Sequence, residues 1–143
     1  MRCIYPDILV ARVMSAPVTT AGLDTSVRAA AALMRELGIG ALPICDDTGP
    51  VGMVTDRDIV TRWATKVASD APVAEIMTAG VVTCAPEQTV ENAAHIMSDA
   101  QVRRLVVVAQ SGKLVGIITL GDIARDASEL LAGETLGEIV EPL

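Results

Sequence analysis

Aromatic side chains are nearly absent from this chain. Its 143 residues include no Phe, one Tyr at position 5 and one Trp at position 63. Proteins that read nucleic acids by stacking bases on aromatic rings need more rings than this. Basic residues are also few, with 11 Lys and Arg against 18 Asp and Glu, and a formal net charge of −7 does not suit binding to a phosphate backbone. We therefore expect no nucleic-acid partner, and a core built from Val, Ile, Leu, Met and Ala.

Long hydrophobic runs are missing as well. Apolar residues make up 51% of the chain, which argues against disorder, yet no run approaches the roughly 18 residues that cross a bilayer. Residues 3–10 resemble a signal peptide only faintly, because Pro6 and Asp7 interrupt their apolar stretch. These features predict a cytoplasmic protein with no membrane partner, folded as one domain or as two very small ones.

Cysteine and histidine are too scarce for most metal or redox sites. Cys3, Cys45 and Cys84 are an odd number without CxxC spacing, which favours buried small residues over a disulfide framework or a zinc site. A redox-sensitive cysteine pair stays open as the alternative. His95 follows Glu91 by four residues, but two ligands do not make a metal site. Because no nucleophile–base pair or metal set is visible, we predict that the protein is not an enzyme.

An internal repeat is the main feature of the sequence. A shift of 63 residues aligns residues 14–49 with residues 77–112 without a gap, and ten of these 36 positions are identical. One inserted residue then changes the offset to 64, at which a Gly-x-x-Thr-x-x-Asp element recurs. Two copies are too few for a solenoid. The repeat predicts two similar subdomains related by a pseudo-twofold axis.

Each copy carries the same order of predicted elements. Ser26 and Thr89 are residues of the type that caps helices, and the apolar residues that follow them recur at helical spacing. We predict strands at residues 18–20, 41–45 and 51–55 with helices at 26–37 and 56–66, and in the second copy strands at 81–83, 105–109 and 114–119 with helices at 89–100 and 120–131. The fold class is α/β (α+β), two β-α-β-β-α subdomains with small sheets covered by helices. The domains are placed at 8–66 and 72–131, with a C-terminal extension at 132–143.

The repeated Gly-x-x-Thr-x-x-Asp element lies where a strand ends and a helix begins. Its Thr and Asp have the spacing of a capping box, in which each side chain accepts a hydrogen bond from the other residue's amide. The same geometry suits a nucleotide, because a helix N-terminus attracts phosphate and an Asp accepts from both hydroxyls of a ribose. The Gly would let a ligand approach the backbone closely. The residues alone leave both interpretations open.

These motifs resemble a known family. The first copy contains V-M-S-A-P-V-T-T, I-G-A-L-P-I-C and G-M-V-T-D-R-D-I-V, and it resembles the cystathionine-beta-synthase (CBS) domain. The second copy contains I-M-T-A-G-V-V-T-C, V-R-R-L-V-V-V and G-I-I-T-L-G-D-I-A, and it resembles another CBS domain. The resemblance covers about residues 8–131. The chain is similar to a stand-alone tandem pair, or Bateman module, and residues 39–60 are especially similar to small pairs of the hypoxic response protein type.

The resemblance implies a regulatory, ligand-sensing module. Its expected ligand is an adenine nucleotide (AMP, ADP or ATP) or S-adenosylmethionine, bound in the cleft between the two CBS domains. Binding would report energy state to an unknown protein partner through a conformational or dimer change. Family pairs form homodimers, so a homodimer is expected, with the nucleotide as regulatory ligand and no tightly bound cofactor. The alternative is a ligand-free dimerisation or docking scaffold whose nucleotide sites are degenerate.

The resemblance also assigns site residues. Asp58 and Asp122 match the acids that bind ribose, and Thr55 and Thr119 match the hydroxyls on the phosphate side. The positions that match the lining of the adenine pocket are Val18, Thr20, Pro43, Ile44, Val82 and Thr83. The cations available for phosphate are Arg57, Arg103 and Arg104, although the last two also fit a solvated pair at a strand edge. Asp56 beside Thr55 disfavours a polyphosphate there, which favours AMP or ADP over ATP.

Overall fold

The structure of the protein is a computed structural model that describes residues 7–66 and 70–139. The chain forms two compact units. The smaller unit consists of Thr19–Val81, and the larger unit combines Met1–Val18 with Val82–Leu143. The predicted domain boundaries follow the sequence repeat, whereas the two units follow packing. Residues 1–6, which include Cys3, and residues 140–143 lie outside the described residues. Residues 67–69, between the two predicted domains, also lie outside them.

The helices and strands are numbered here in chain order. The helices of the described residues are α1 (Val10–Val13), α2 (Val27–Leu37), α3 (Asp56–Asp58), α4 (Val90–Ala100), α5 (Leu120–Asp126) and α6 (Glu129–Glu138). A π-helical turn follows α3 at Ile59–Trp63, and a 3₁₀ turn lies at Val73–Glu75. The strands are β1 (Ala21–Gly22), β2 (Ala41–Asp46), β3 (Gly49–Thr55), β4 (Thr78–Ala79), β5 (Thr83–Cys84), β6 (Arg104–Val108) and β7 (Leu114–Thr119). None of the described helices is long and apolar enough to cross a membrane.

Each unit holds a small sheet of the same design. In the smaller unit the strand order is β1-β2-β3-β4, with β1 parallel to β2 and the other pairs antiparallel. In the larger unit the order is β5-β6-β7, with β5 parallel to β6 and β7 antiparallel to it. Each sheet therefore combines a hairpin with one short parallel strand, which confirms the predicted mixed fold with two similar subdomains.

Each sheet also receives a segment from the neighbouring stretch of sequence. β4 leads into the second copy of the repeat, yet Thr78 lies opposite Met53 of the first copy. Correspondingly, Ser15 leads into the first copy, yet it forms an antiparallel bridge with Ile117 of the second copy. The Ser15 amide donates to the Ile117 carbonyl at 2.8 Å, and the Ile117 amide donates back at 3.1 Å. The residues that open each copy are thus structural parts of the unit built on the other copy.

The long helices confirm the sequence prediction. Ser26 Oγ accepts from the Ala29 amide at 3.0 Å, and Thr89 Oγ1 accepts from the Asn92 amide at 3.1 Å, so both predicted N-caps are present. α2 ends at Gly38, whose φ of +64° is the left-handed conformation that glycine adopts at low cost. α2 and α4 each bury the Val, Ala and Met residues of one helix face against the aliphatic core of their own unit.

The first strand of the smaller unit differs from its prediction. The strand expected at residues 18–20 instead lies at Ala21–Gly22. When the two copies are aligned at the offset of 63 residues, this strand starts one position later than β5 does. In the larger unit the Val106 amide donates to the Val82 carbonyl at 3.1 Å and opens the parallel ladder. Pro43 occupies the matching position of β2 and has no N–H to donate. The ladder of the smaller unit therefore starts one residue later, which leaves Thr20 outside it.

The last helix of each copy also differs from its prediction. The helix expected at 56–66 is one α-helical turn followed by the π-helical turn. The helix expected at 120–131 ends at Asp126, and α6 begins three residues later. Ser128 causes this break, because its Oγ accepts from the Leu131 amide at 3.1 Å and caps a new helix. α6 therefore takes in residues that the sequence assigned to the extension.

Gly52 provides a test of the segment exchange. A Cβ added at Gly52 would lie 2.5 Å from Met77 Sδ and 2.9 Å from the Thr78 carbonyl oxygen, so the backbone of β4 would have to move. We expect Gly52→Ala to lower the free energy of unfolding by about 1–3 kcal/mol, measured by urea denaturation. Gly22→Ala in the same unit is the control, because nothing lies within 4 Å of its Cβ position. Equal effects of the two substitutions would contradict the close packing of β4.

Cys84 provides a test of the core. Cys84 and Cys45 are free thiols, and Cys84 is buried in the core of the larger unit, as predicted for a small apolar residue. Burial raises the pKa of Cys84 to about 11, so only about one thiol in a thousand is ionised at pH 8. We expect iodoacetamide to modify half-buried Cys45 at least about tenfold faster than Cys84 in the native protein, because the thiolate and exposure control the reaction.

Peptide mass spectrometry would follow both cysteines in one sample. Labelling in urea is the control, since both thiols are then exposed and should react at similar rates. Equal labelling of Cys45 and Cys84 in the folded protein would show that the core around Cys84 opens freely.

Candidate functional site

Both Gly-x-x-Thr-x-x-Asp elements form complete capping boxes. In the larger unit Thr119 Oγ1 accepts from the Asp122 amide at 3.1 Å, and Asp122 Oδ2 accepts from the Thr119 amide at 2.9 Å. Thr55 and Asp58 make the same pair of bonds at 3.1 and 2.9 Å in the smaller unit. The cap interpretation is therefore confirmed for both copies, and it explains the repeated spacing without a ligand.

The remaining oxygen of each Asp faces an arginine of its own helix region. Asp122 Oδ1 accepts from Arg125 Nη2 at 2.7 Å, and this hydrogen bond raises the pKa of Arg125. Asp58 Oδ1 lies 3.7 Å from Arg62 Nε. The side chain of Asp122 is only 7% exposed, against 13% for Asp58. Both oxygens of Asp122 are thus engaged by protein groups in a nearly closed position.

The glycines of the two elements face protein rather than open space. A Cβ at Gly116 would lie 2.5 Å from Met14 Sδ and 3.1 Å from the Ser15 carbonyl oxygen. Gly52 has the matching environment at β4. The expectation that these glycines admit a ligand is therefore wrong, because the close approach they allow is that of the exchanged segment.

A cavity of about 530 Å³ lies within the larger unit, beside the start of α5. The cavity is bounded by the start of β6, by the turn between β7 and α5, by α5 and by α6. Its lining residues are Arg103, Arg104, Thr119, Leu120, Gly121, Ala124, Glu129, Ala132, Gly133 and Leu136. Three predicted site residues meet here, namely the two arginines and Thr119. Asp122 does not line this cavity.

The cavity carries charged groups with unused hydrogen-bonding capacity. The side chains of Arg104 and Glu129 form no hydrogen bond or ion pair with other residues of the described ranges 7–66 and 70–139. Thr119 Oγ1 accepts a bond from the Asp122 amide, and the proton of this hydroxyl has no acceptor among the same residues. The arrangement offers a cation and a hydroxyl donor to an anion, and a carboxylate lines the same cavity.

The contribution of α6 to the cavity was missed by sequence reasoning. The helix predicted at 120–131 includes Glu129, and the extension predicted at 132–143 begins with Ala132. The signal that could have separated them is Ser128, a favoured N-cap residue that precedes an acidic residue. That signal predicts a second helix that starts at Glu129, but it does not predict which residues this helix packs against.

The other predicted site residues are spread over different environments. Pro43 and Ile44 are buried in β2, and Ile44 belongs to the core of the smaller unit. Val18 and Val82 are half-buried, whereas Thr20, Thr83 and Arg57 are exposed. Of the described residues, no group of three or more His, Cys, Asp and Glu could hold a metal ion.

The two capping boxes differ in burial, which gives a testable difference in stability. We expect Asp122→Asn to lower the free energy of unfolding by about 2–3 kcal/mol, because it weakens a nearly buried cap and the bond from Arg125. Asp58→Asn should cost about 1 kcal/mol, since that side chain is more exposed and its arginine lies farther away. Urea denaturation of both variants measures the difference, and a larger loss for Asp58→Asn would contradict this ranking.

Comparison with known proteins identifies the family. The model of the CBS domain matches the chain twice, over residues 10–64 and 73–129. Hypoxic response protein 1 of Mycobacterium tuberculosis is 37% identical over 134 residues, which are 92% of this chain and 93% of that protein.

Solved structures show the same architecture. The CBS domain pair of protein MJ0100, crystallised with 5′-methylthioadenosine and S-adenosyl-L-methionine, is 32% identical and superposes with a TM-score of 0.75 over 90% of this chain and 99% of that one. CBSX2, crystallised with AMP, is 29% identical and superposes with a TM-score of 0.69 over 82% of this chain and 94% of that one. The family model matches both copies of the repeat, and the structure contains two copies of the family's fold. This chain therefore belongs to the CBS domain family, as a tandem pair.

Proposed function

We propose that this protein is a regulatory module that binds an adenine nucleotide and changes its conformation or its dimerisation in response. It acts on an unidentified partner protein and is not itself a catalyst. Relatives of similar size and fold have been crystallised with AMP or with S-adenosylmethionine, which supports this class of ligand. The observation that carries the proposal is the cavity of the larger unit, where two arginines and the Thr119 hydroxyl come together.

The charge distribution supports a ligand with a single phosphate group. In a chain of net charge −7, Arg103 and Arg104 concentrate two positive charges on one wall of a nucleotide-sized cavity. A guanidinium pairs with phosphate oxygens through two parallel N–H bonds, and the Thr119 hydroxyl donates one more. A phosphate monoester matches two cations in charge, whereas the triphosphate of ATP would exceed them. We therefore favour AMP over ADP, and both over ATP, at this position.

The smaller unit offers a weaker version of the same chemistry. Thr55 and Asp58 form the matching cap, and Arg57 is an exposed cation nearby. However, Asp56 Oδ1 accepts from the Arg57 amide at 2.8 Å, so a carboxylate already occupies the first turn of α3. An anion at this place would meet repulsion at close range. We therefore assign the main nucleotide position to the larger unit.

A ligand-free dimerisation or docking scaffold is the second candidate. It is favoured by the capping boxes, because both Asp side chains that match the family's ribose acids are engaged by protein groups. An exposed apolar residue such as Val60, which follows α3 in the π-helical turn, would then serve association with another chain. The two candidates differ in one measurable property, which is affinity for a nucleotide.

Isothermal titration calorimetry with AMP, ADP, ATP and S-adenosylmethionine tests the proposal. We expect AMP or ADP to bind more tightly than ATP. Arg104→Ala should weaken AMP binding about tenfold, because one charge-assisted contact to phosphate is lost. The same substitution should leave binding of adenosine, which has no phosphate, nearly unchanged. Arg12→Ala is the matched control, since it removes an exposed arginine of the same unit that does not line the cavity.

The outcomes separate the two candidates. No binding of any of these ligands at millimolar concentration would overturn the proposal and favour the scaffold. Equal weakening by Arg104→Ala and Arg12→Ala would mean that net charge, and not the cavity, governs binding.

A further inference from the structure

The acidic residue that lines the cavity of the larger unit is not the one that the family motif supplies. Glu129, the first residue of α6, forms part of the wall, whereas Asp122 does not. We infer that Glu129 accepts the hydroxyls of the nucleotide's ribose in this unit, in place of Asp122. The inference rests on the proposed nucleotide binding and specifies which carboxylate reads the sugar.

Asp122 is poorly suited to this task. Its Oδ2 completes the capping box with the Thr119 amide, and its Oδ1 accepts the bond from Arg125. The side chain is 7% exposed, so a sugar could reach it only if one of these groups moved away. Loss of the cap bond would leave the Thr119 amide unpaired in a part-buried position, which is unfavourable. The carboxylate of Asp122 is thus already engaged in stabilising the turn between β7 and α5.

Glu129 has the opposite properties. It is exposed, and its carboxylate makes no hydrogen bond or ion pair with the residues that the structure describes. An unpaired acid in the first turn of a helix is also favoured by the helix dipole, so its presence alone would need no ligand. Its position in the same cavity as Arg103, Arg104 and Thr119 is the observation that goes beyond this explanation.

α6 is held firmly enough to present Glu129 at a defined place. The Ser128 cap fixes the first turn, and Leu131 and Ala132 are buried in the core of the larger unit. At the far end the Gln101 side-chain amide donates to the Glu138 carbonyl at 2.9 Å, which ties α6 to the end of α4. A carboxylate carried by an anchored helix loses little freedom when it binds a ligand.

The chemistry of the cavity matches a ribose phosphate. One carboxylate can accept hydrogen bonds from two neighbouring hydroxyls, as acidic residues do in dinucleotide-binding folds. The arginines and Thr119 provide the donors for the phosphate, while Ala124, Ala132 and Gly133 are small and leave room for the sugar. One cavity thus contains both an acceptor and the phosphate donors. A ligand with a ribose diol and one phosphate binds both the acceptor and the donors.

Calorimetric titration with AMP and with 2′-deoxy-AMP tests the inference. We expect the wild-type protein to bind AMP about fivefold more tightly than 2′-deoxy-AMP, because the missing hydroxyl removes one hydrogen bond to Glu129. Glu129→Gln should weaken AMP binding by a similar factor and make the two ligands bind equally. Glu129→Asp, which keeps the charge, should restore part of the preference. Glu87→Gln is the control, since it neutralises an exposed acid of the same unit away from the cavity.

Each outcome has a distinct meaning. If Glu129→Gln keeps the wild-type preference for AMP, the inference is overturned although the nucleotide-binding proposal stands. A wild-type protein that binds neither ligand overturns both. A preference that disappears in Asp122→Asn but persists in Glu129→Gln would assign the ribose to Asp122 and also overturn the inference. Thermal unfolding of Glu129→Gln and Glu87→Gln verifies that both variants are folded, so the titrations remain decisive.

Discussion

The capping box between Thr119 and Asp122 determines most of what surrounds the cavity. Its two reciprocal bonds fix the angle at which β7 turns into α5. That turn places the Thr119 hydroxyl on the cavity wall and directs Asp122 away from it, towards Arg125. A residue pair that suggests ligand chemistry by its spacing is therefore first a structural device. Any ligand at this place has to use the groups that the cap leaves available.

A second constraint comes from the way the chain builds its units. The residues that open each copy of the repeat pair with the other copy's sheet, through Ser15 with Ile117 and through Thr78 with Met53. This close packing requires the glycine that begins each Gly-x-x-Thr-x-x-Asp element, because a Cβ there would meet Met14 or Met77. The glycine, the threonine and the aspartate of one motif thus serve two separate structural tasks, a close approach of strands and a helix cap.

Charge gives the cavity its character. The chain is acidic, so a phosphate can be held only where arginines are brought together locally. Arg103 and Arg104 are adjacent in sequence, but α6, which also lines the cavity, starts about 25 residues later. This helix exists as a separate element because Ser128 caps it, and it brings the unpaired Glu129 into the cavity. The recognition of sugar and phosphate would then depend on a helix that follows the Gly-x-x-Thr-x-x-Asp element of the second copy.

Much of this protein could be predicted from its sequence. The repeat, the helical spacing after Ser26 and Thr89 and the Thr-x-x-Asp spacing depend on interactions within a few residues, so local pattern was enough to place the caps and the long helices. The resemblance to the CBS domain brought Arg103, Arg104 and Thr119 into one candidate site. Sequence reasoning failed where residues that are distant in sequence determine the local structure. The start of β1 depends on Pro43 in a neighbouring strand, which has no amide to offer.

Only the tertiary structure decided which side chains remain available. Spacing makes Asp122 an equally good cap or ribose ligand, and the bond from Arg125 together with its burial shows that the cap and the ion pair occupy it. Similarly, no local pattern places Glu129 in one cavity with the arginines, because that depends on how α6 packs against the core. The sequence by itself determined two aliphatic subdomains, each with a capped helix after its last strand. The packing of distant segments, which sequence spacing does not encode, decided where an open, charged cavity lies.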